Sequence, residues 1–190
     1  MFWESPKRQE RLCAAVLDTE GQRAWHHGVA QEWGDCGKVA FDEDDVAIGC
    51  IKYAPSSFFP QSQTFGSAPK KPSTPLITCL HIEPYARQTG LATVLLRAAL
   101  RDLAIRGERT VECFALAKRP PSWEDAPMPG IEFLLRNGFT VSRPDPVYPL
   151  LQLELRSLVL LTENLEAVLE SLKLPLRMPG RVPVPGLKDG

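Results

Sequence analysis

Between Leu76 and Ala104 the chain reads LITCLHIEPYARQTGLATVLLRAALRDLA, and this stretch restricts the fold more than any other. Leu76 to Ile82 has the length and composition of a buried strand and is fenced by Pro75 and Pro84. Gly90 to Ile105 follows as an amphipathic helix, with Leu91, Val94, Leu95 and Ala98 on one stripe, Arg97 and Arg101 opposite, and Gly107 as the stop. A strand that passes through a short turn into such a helix predicts an α/β unit. The turn itself, Arg87-Gln88-Thr89-Gly90-Leu91-Ala92, opens the helix with a glycine and a small residue. Unpaired amides of a first helical turn and the helix dipole both favour an anion there, so the turn predicts a cradle for a phosphate-bearing ligand.

The flanking sequence supplies the partners for that unit. Pro6 to Leu17 reads as a helix with Ser5 as its cap, and Glu20 to Trp33 as a second helix ended by Gly34. Cys36 to Phe41 and Val46 to Tyr53 read as a hairpin around the acidic turn Asp42 to Asp45. Ala54 to Pro75 is a long Pro-rich segment, read equally well as a functional loop or as a surface excursion packed by Phe58, Phe59 and Phe65. Thr110 to Leu116 is a strand, Lys118 to Gly130 a second Pro-rich connector containing Trp123, and Ile131 to Asn137 a short helix closed by Gly138. Thr140 to Ser142 and Val147 to Leu155 form a final hairpin. Leu158 to Leu172 is an additional helix, and Pro175 to Gly190 a Pro/Gly-rich tail.

Ile82-x-Pro84-x-x-Arg87-x-x-Gly90-Leu91-Ala92 resembles the signature of the GNAT superfamily of acyl-CoA-dependent N-acyltransferases. Asn137-Gly138-Phe139 is similar to the G-F that closes the family's next helix, and the resemblance covers roughly Val29 to Leu155. It implies an α/β (α+β) fold with a mixed, mostly antiparallel sheet flanked by helices, filling one domain over residues 1–174. Residues 156–174 then form an added C-terminal helix, and 175–190 a tail. It implies acetyl-CoA as the acyl donor. The backbone of Leu80, His81 and Ile82 would meet the pantetheine arm, and Arg87, Gln88, Thr89, Gly90, Leu91, Ala92 and Thr93 would hold the diphosphate.

The implied reaction is direct attack of a primary amine on a thioester. An alkyl ammonium, with a pKa near ~10, must first lose a proton. A carboxylate acting through water serves as base, and a strand amide, that of Ile82 or its neighbour, stabilises the oxyanion. Thr110-Val111-Glu112-Cys113-Phe114 resembles the strand that bears the base in some family members, which makes Glu112 the first candidate. The alternatives for Glu112 are an edge position facing solvent or an Arg partner. Glu83, beside Pro84, is the second candidate, with a solvated turn residue as its alternative. His81 falls on the same side as Cys79 and Glu83, and a structural histidine is the plainer reading of it. The family's leaving-group Tyr falls at Leu134 here, so Tyr148 or Tyr53 would have to substitute, or the thiolate, with a pKa near ~8.5, would leave unaided. That departure keeps a second function open: a weak or inactive acyl-CoA-binding regulatory or scaffold protein.

Composition narrows the partners. A net charge of -1, with no Lys/Arg run, predicts no nucleic-acid partner. Five cysteines without paired spacing predict neither a disulfide framework nor a metal site. Cys50, Cys79 and Cys113 lie in apolar runs and read as buried hydrophobes. Charged residues in Met1 to Leu12 and the lack of a long apolar run predict no leader, no membrane span and a cytoplasmic protein. The acceptor amine is not legible. The Leu-rich C-terminal helix either covers an edge of its own sheet or packs on a second copy, which would make a homodimer.

Overall fold

The computed structural model describes Trp3, residues 19–118 and residues 128–155. The expected helices at Pro6–Leu17 and Leu158–Leu172, most of the second Pro-rich connector with Trp123, and the tail lie outside the described residues. The elements are α1 (Thr19–Glu32), β1 (Gly37–Phe41), β2 (Ala47–Pro55), β3 (Pro75–Ile82), α2 (Leu91–Ile105), β4 (Thr110–Phe114), α3 (Ile131–Arg136), β5 (Thr140–Arg143) and β6 (Leu150–Glu154). The expected element order is therefore present throughout this span. No helix among the described residues is long and apolar enough to cross a membrane.

Six strands form one sheet in the order β1-β2-β3-β4-β6-β5. Every neighbouring pair is antiparallel except β3 and β4, which run parallel and are joined by the α2 crossover. β3 pairs with β2 as far as Ile82↔Gly49. Its pairing with β4 is limited to Leu76↔Glu112 and Ile77↔Cys113. Beyond that point β4 is drawn elsewhere. The Leu116 amide donates to the Pro129 carbonyl, and the Leu116 carbonyl accepts from Ile131. This is also why β4 ends at Phe114 rather than at the expected Leu116. The two parallel strands thus part after Ile77 and Cys113.

The stripe on α2 explains the side on which it packs. Of its expected members Leu91, Val94 and Leu95 are buried and Ala98 is half-buried; Leu91 and Leu95, joined by Leu96, Ala99 and Leu103, pack against Ile51, Ile77, Val111, Cys113 and Leu151. The opposite face carries Ala54, Leu76, Phe114 and Leu150, covered by Trp3, Val29 and Phe59. The Trp3 ring stacks at 5.3 Å on both Phe65 and Phe114. The long 54–75 segment is packed on the body through Phe58, Phe59 and Phe65, as one of its two readings had it. β2 runs on to Pro55, two short 3-10 turns follow at Ser56–Phe58 and Pro60–Thr64, and Phe59 is fully buried.

One polar cluster ties the layers together. Asp102 on α2 accepts from the Tyr53 hydroxyl at 2.7 Å, pairs with Arg106 Nη2 at 2.7 Å and lies 3.5 Å from Lys38 Nζ. Arg106 also donates to the Trp33 and Asp35 carbonyls and stacks on the Trp33 ring. Burial, then the bond to Asp102, pushes the Tyr53 hydroxyl pKa far up. Tyr53, named above as a stand-in acid, is therefore corrected: it is fully buried and its proton is committed to Asp102.

Candidate active site

The turn before α2 is built from two left-handed residues. Gln88 has φ +64 and Gly90 has φ +88. A glycine adopts that backbone freely, whereas Gln88 bears a strain that ordinary side chains avoid. Alternation of left- and right-handed residues curls successive N–H groups toward one point, a nest for an anion. Gly90 caps α2 without any side-chain bond to the helix amides. Thr89 Oγ1 donates back to the Ala86 carbonyl, which closes the turn. Among the described residues nothing accepts from the amides of Gln88, Thr89, Gly90, Leu91 or Ala92. The Thr93 amide is an exception to the expected cradle. It donates to the Gly90 carbonyl at 2.9 Å, because it already belongs to the first turn of the helix. The run of unengaged amides thus ends at Ala92.

Arg87 and Ala92, which bracket this turn, line a cleft of about 630 Å³ in the gap between β3 and β4, whereas Gln88, Thr89, Gly90 and Leu91 are not among its lining residues. Leu80, His81 and Ile82 form one wall, with Arg87 and Ala92 at the nest. Leu116, Ala117 and residues 128–130 form the other wall, joined by Ile131, Glu132, Phe133 and Arg136 from α3. Leu80, His81, Ile82, Arg87 and Ala92 come together as the sequence grouped them. Sequence reasoning missed the α3 wall: the Gly138 stop located the helix, but nothing in the residues said that it faces the gap. Arg136 brings a second guanidinium to the same cavity as Arg87, whose Nε donates to the Ile82 carbonyl at 3.0 Å.

The titratable candidates divide between the two ends. Glu83 lies near the nest, with Oε1 3.3 Å from His81 Nε2, and both side chains are substantially exposed. Glu112 lies on β4 opposite Leu76, beside the last β3–β4 pair, on the face away from α2. It is 9% exposed, is absent from the cleft lining, and its Oε2 is buried with no hydrogen-bond partner. Burial raises its carboxyl pKa, partly countered by the charges of Arg143 and Lys71. It therefore faces neither solvent nor a hydrogen-bonded Arg; Arg143 instead donates to the Ala68 carbonyl. Tyr148 is half-buried, with its ring edge-on to Phe65 at 5.2 Å. Leu134, at the position of the family's Tyr, is fully buried in the α2-side core.

Of the three cysteines expected as buried hydrophobes, only Cys113 is fully buried. Cys50 and Cys79 are half-buried, because they point to the sheet face away from α2, which is incompletely covered there. Cys13 lies outside the described residues.

No family model matches the chain, and no curated protein does. Solved structures do. One described as a bacterial toxin aligns with 82% of this chain and 86% of its own at 17% identity, TM-score 0.50. An N-acetyltransferase from Staphylococcus aureus Mu50 aligns over 80% and 82% at 14% identity, TM-score 0.49. The PaiA N-acetyltransferase from Thermoplasma acidophilum, solved with coenzyme A, aligns over 70% of each chain at 15% identity, TM-score 0.48. At such identities the likeness is one of fold. The six-stranded, mostly antiparallel mixed sheet flanked by helices is the architecture that the GNAT resemblance implied.

Proposed function

We propose that the chain is an acyl-CoA-dependent N-acyltransferase that moves an acetyl group from acetyl-CoA to a primary amine. The observation that carries this is the set of five unengaged amides, Gln88 to Ala92, in a turn whose flanking Arg87 and Ala92 line a cleft between two parted parallel strands. A diphosphate would sit on those amides, with Arg87 and Arg136 lending positive charge. The pantetheine arm would run inward along β3, whose pairing with β4 stops at Ile77 and leaves residues 78–82 an edge toward the cleft. Coenzyme A, when bound, supplies the activated thioester.

The remaining chemistry falls to the chain. An amide on the cleft edge of β3, at Ile82 or a neighbour, donates to the oxyanion. Glu112, outside the cleft lining, lies at the level of the last β3–β4 pairs on the face away from α2, and would take the ammonium proton through water. Its raised pKa and unpartnered oxygen favour it over Glu83, which lies beside the turn before α2 and is engaged with His81. The amine nitrogen then bonds to the carbonyl carbon, the C–S bond breaks, and the thiolate leaves without a dedicated acid. Neither Leu134 nor Tyr53 can serve as that acid, and Tyr148, the other stand-in, is not among the residues that line the cleft. The acceptor would approach from the face bearing Glu112, which the 54–75 segment overhangs.

The same absence of an acid favours a second reading, a protein that binds acyl-CoA without turning it over. Thiol release from acetyl-CoA, measured with a panel of small amines and N-terminal peptides, separates the two. Amine-dependent thiol release is expected. Tight coenzyme binding without turnover on any amine would install the second reading.

A further inference from the structure

β2 and β3 present four polar or reactive side chains on the sheet face away from α2. Cys50 stands opposite His81 and Lys52 opposite Cys79, while Ile51 and Leu80 between them turn toward α2. Cys50 and Cys79 are therefore diagonal neighbours on one face. Neither is in a disulfide, and both are half-buried rather than sealed. Lys52 Nζ lies over the Trp25 ring of α1 at 5.3 Å, and His26 of the same helix is engaged with Cys36. The charged groups facing the pair are thus Lys52 and His81.

We propose that Cys50 and Cys79 form a hydroperoxide-reactive dithiol that closes to a disulfide between β2 and β3, one residue from the His81 wall of the cleft. The hydrogen bond from Cys79, with the charges of His81 and Lys52 and despite burial, pulls the Cys50 thiol from the usual 9.0 down to about 6. The neighbouring Cys113 thiol is pushed up by complete burial, and Cys36 is raised as well. Reactivity thus concentrates at Cys50, since the thiolate is the nucleophile. Its sulfur attacks a peroxide oxygen: an S–O bond forms, the O–O bond breaks and hydroxide leaves, giving a sulfenic acid. The Cys79 thiol then attacks that sulfur: the S–S bond forms, the S–O bond breaks, and the departing hydroxide takes the Cys79 proton and leaves as water. Both sulfurs are oxidised and the peroxide is reduced. A cross-link between diagonal positions of a ladder departs from relaxed disulfide geometry, so a dithiol reductant readily reopens it. Nothing in this chemistry depends on acyl transfer.

The test is site-resolved mass spectrometry of the full chain after brief treatment with hydrogen peroxide and no reductant. The expected product links the Cys50 and Cys79 peptides, leaves Cys36 and Cys113 reduced, and is reversed by dithiothreitol. In Cys79→Ser the link is lost and dimedone labels Cys50. A kinetic reading on the unmodified chain needs no variant. At pH 6 a thiol with a pKa near 6 is half thiolate, against about one part in a thousand at 9.0. That gain, reduced by lower intrinsic nucleophilicity, predicts alkylation of Cys50 by iodoacetamide about 20-fold faster than a small free thiol. Peroxide that leaves both residues reduced while oxidising other thiols, or alkylation of Cys50 no faster than the free thiol, overturns the proposal.

Discussion

Asp102 is a single carboxylate on which two β-strands and a helix converge, and its removal has a calculable cost. In Asp102→Ala the buried Lys38 ammonium, 8% exposed, loses its counter-charge, and the fully buried Tyr53 hydroxyl loses its acceptor. Breaking a buried ion pair costs about 3–5 kcal/mol. Here the 3.5 Å separation and the 21% exposure of Asp102 place the ionic part at the lower end. An orphaned buried hydroxyl adds about 1–3 kcal/mol. Arg106 contributes little to the loss, because it keeps the Trp33 and Asp35 carbonyls and the Trp33 ring. Since both losses share one side chain they do not add in full, and the total should fall at about 3–5 kcal/mol. That is a large part of the roughly 5–15 kcal/mol typical of a domain. Urea unfolding of the full chain measures it, with the slope expected to stay constant. Asp102→Asn keeps an acceptor for Tyr53 and should lose about half as much. Adding Lys38→Met to Asp102→Ala should recover about 1 kcal/mol or more by removing the stranded charge. A loss below about 1 kcal/mol for Asp102→Ala, or a further loss on adding Lys38→Met, would refute the reasoning.

Other perturbations address the site. Glu112→Gln should lower turnover about 10²–10⁴-fold while coenzyme affinity stays nearly unchanged, as steady-state rates and calorimetry would register. The same change has a pH-dependent effect on stability. Because the folded carboxyl pKa is raised, the charged form is a cost to the fold that is present above the folded value and absent below the ordinary carboxylate range. Glu112→Gln should therefore melt higher than the parent at pH 7–8 and lose that advantage as the pH falls toward about 4. Gly90→Asp places a carboxylate at the nest and a side chain at φ +88, and coenzyme binding should vanish from calorimetry while far-ultraviolet dichroism is preserved. Ala92→Leu adds bulk to a residue that lines the cleft, so coenzyme affinity should fall by at least about tenfold with little change in the urea midpoint.

The strand-turn-helix unit was legible because its signals are local. Pro75 and Pro84 mark the strand, the Leu/Ala stripe marks α2, and Gly90 marks the turn. The run of unengaged amides was also legible as far as Ala92, since the first amides of a helix have no intrahelical acceptor. Thr93 was misjudged for an equally local reason: one residue further in, an amide already has an intrahelical acceptor. Long-range pairing could not be read. Nothing within Thr110–Leu116 says that Leu116 turns to Pro129 and Ile131, yet that choice ends β4 and opens the cleft. Asp102 looks like an ordinary polar position on a helix, and only the packing of β1 and β2 against α2 brings Lys38 and Tyr53 to it. Cys50 and Cys79 sit in apolar runs, and their half-exposed face depends on which side of the sheet the helix covers.

The amides from Gln88 to Ala92 can be observed individually by nitrogen-15 correlation spectroscopy while coenzyme A is titrated into the labelled chain. Their resonances should move most, those of Leu80 to Ile82 should follow, and the Thr93 amide, held by Gly90, should move far less. Saturable binding that leaves the five amides unmoved, or no binding at millimolar coenzyme, would contradict a diphosphate held on that turn.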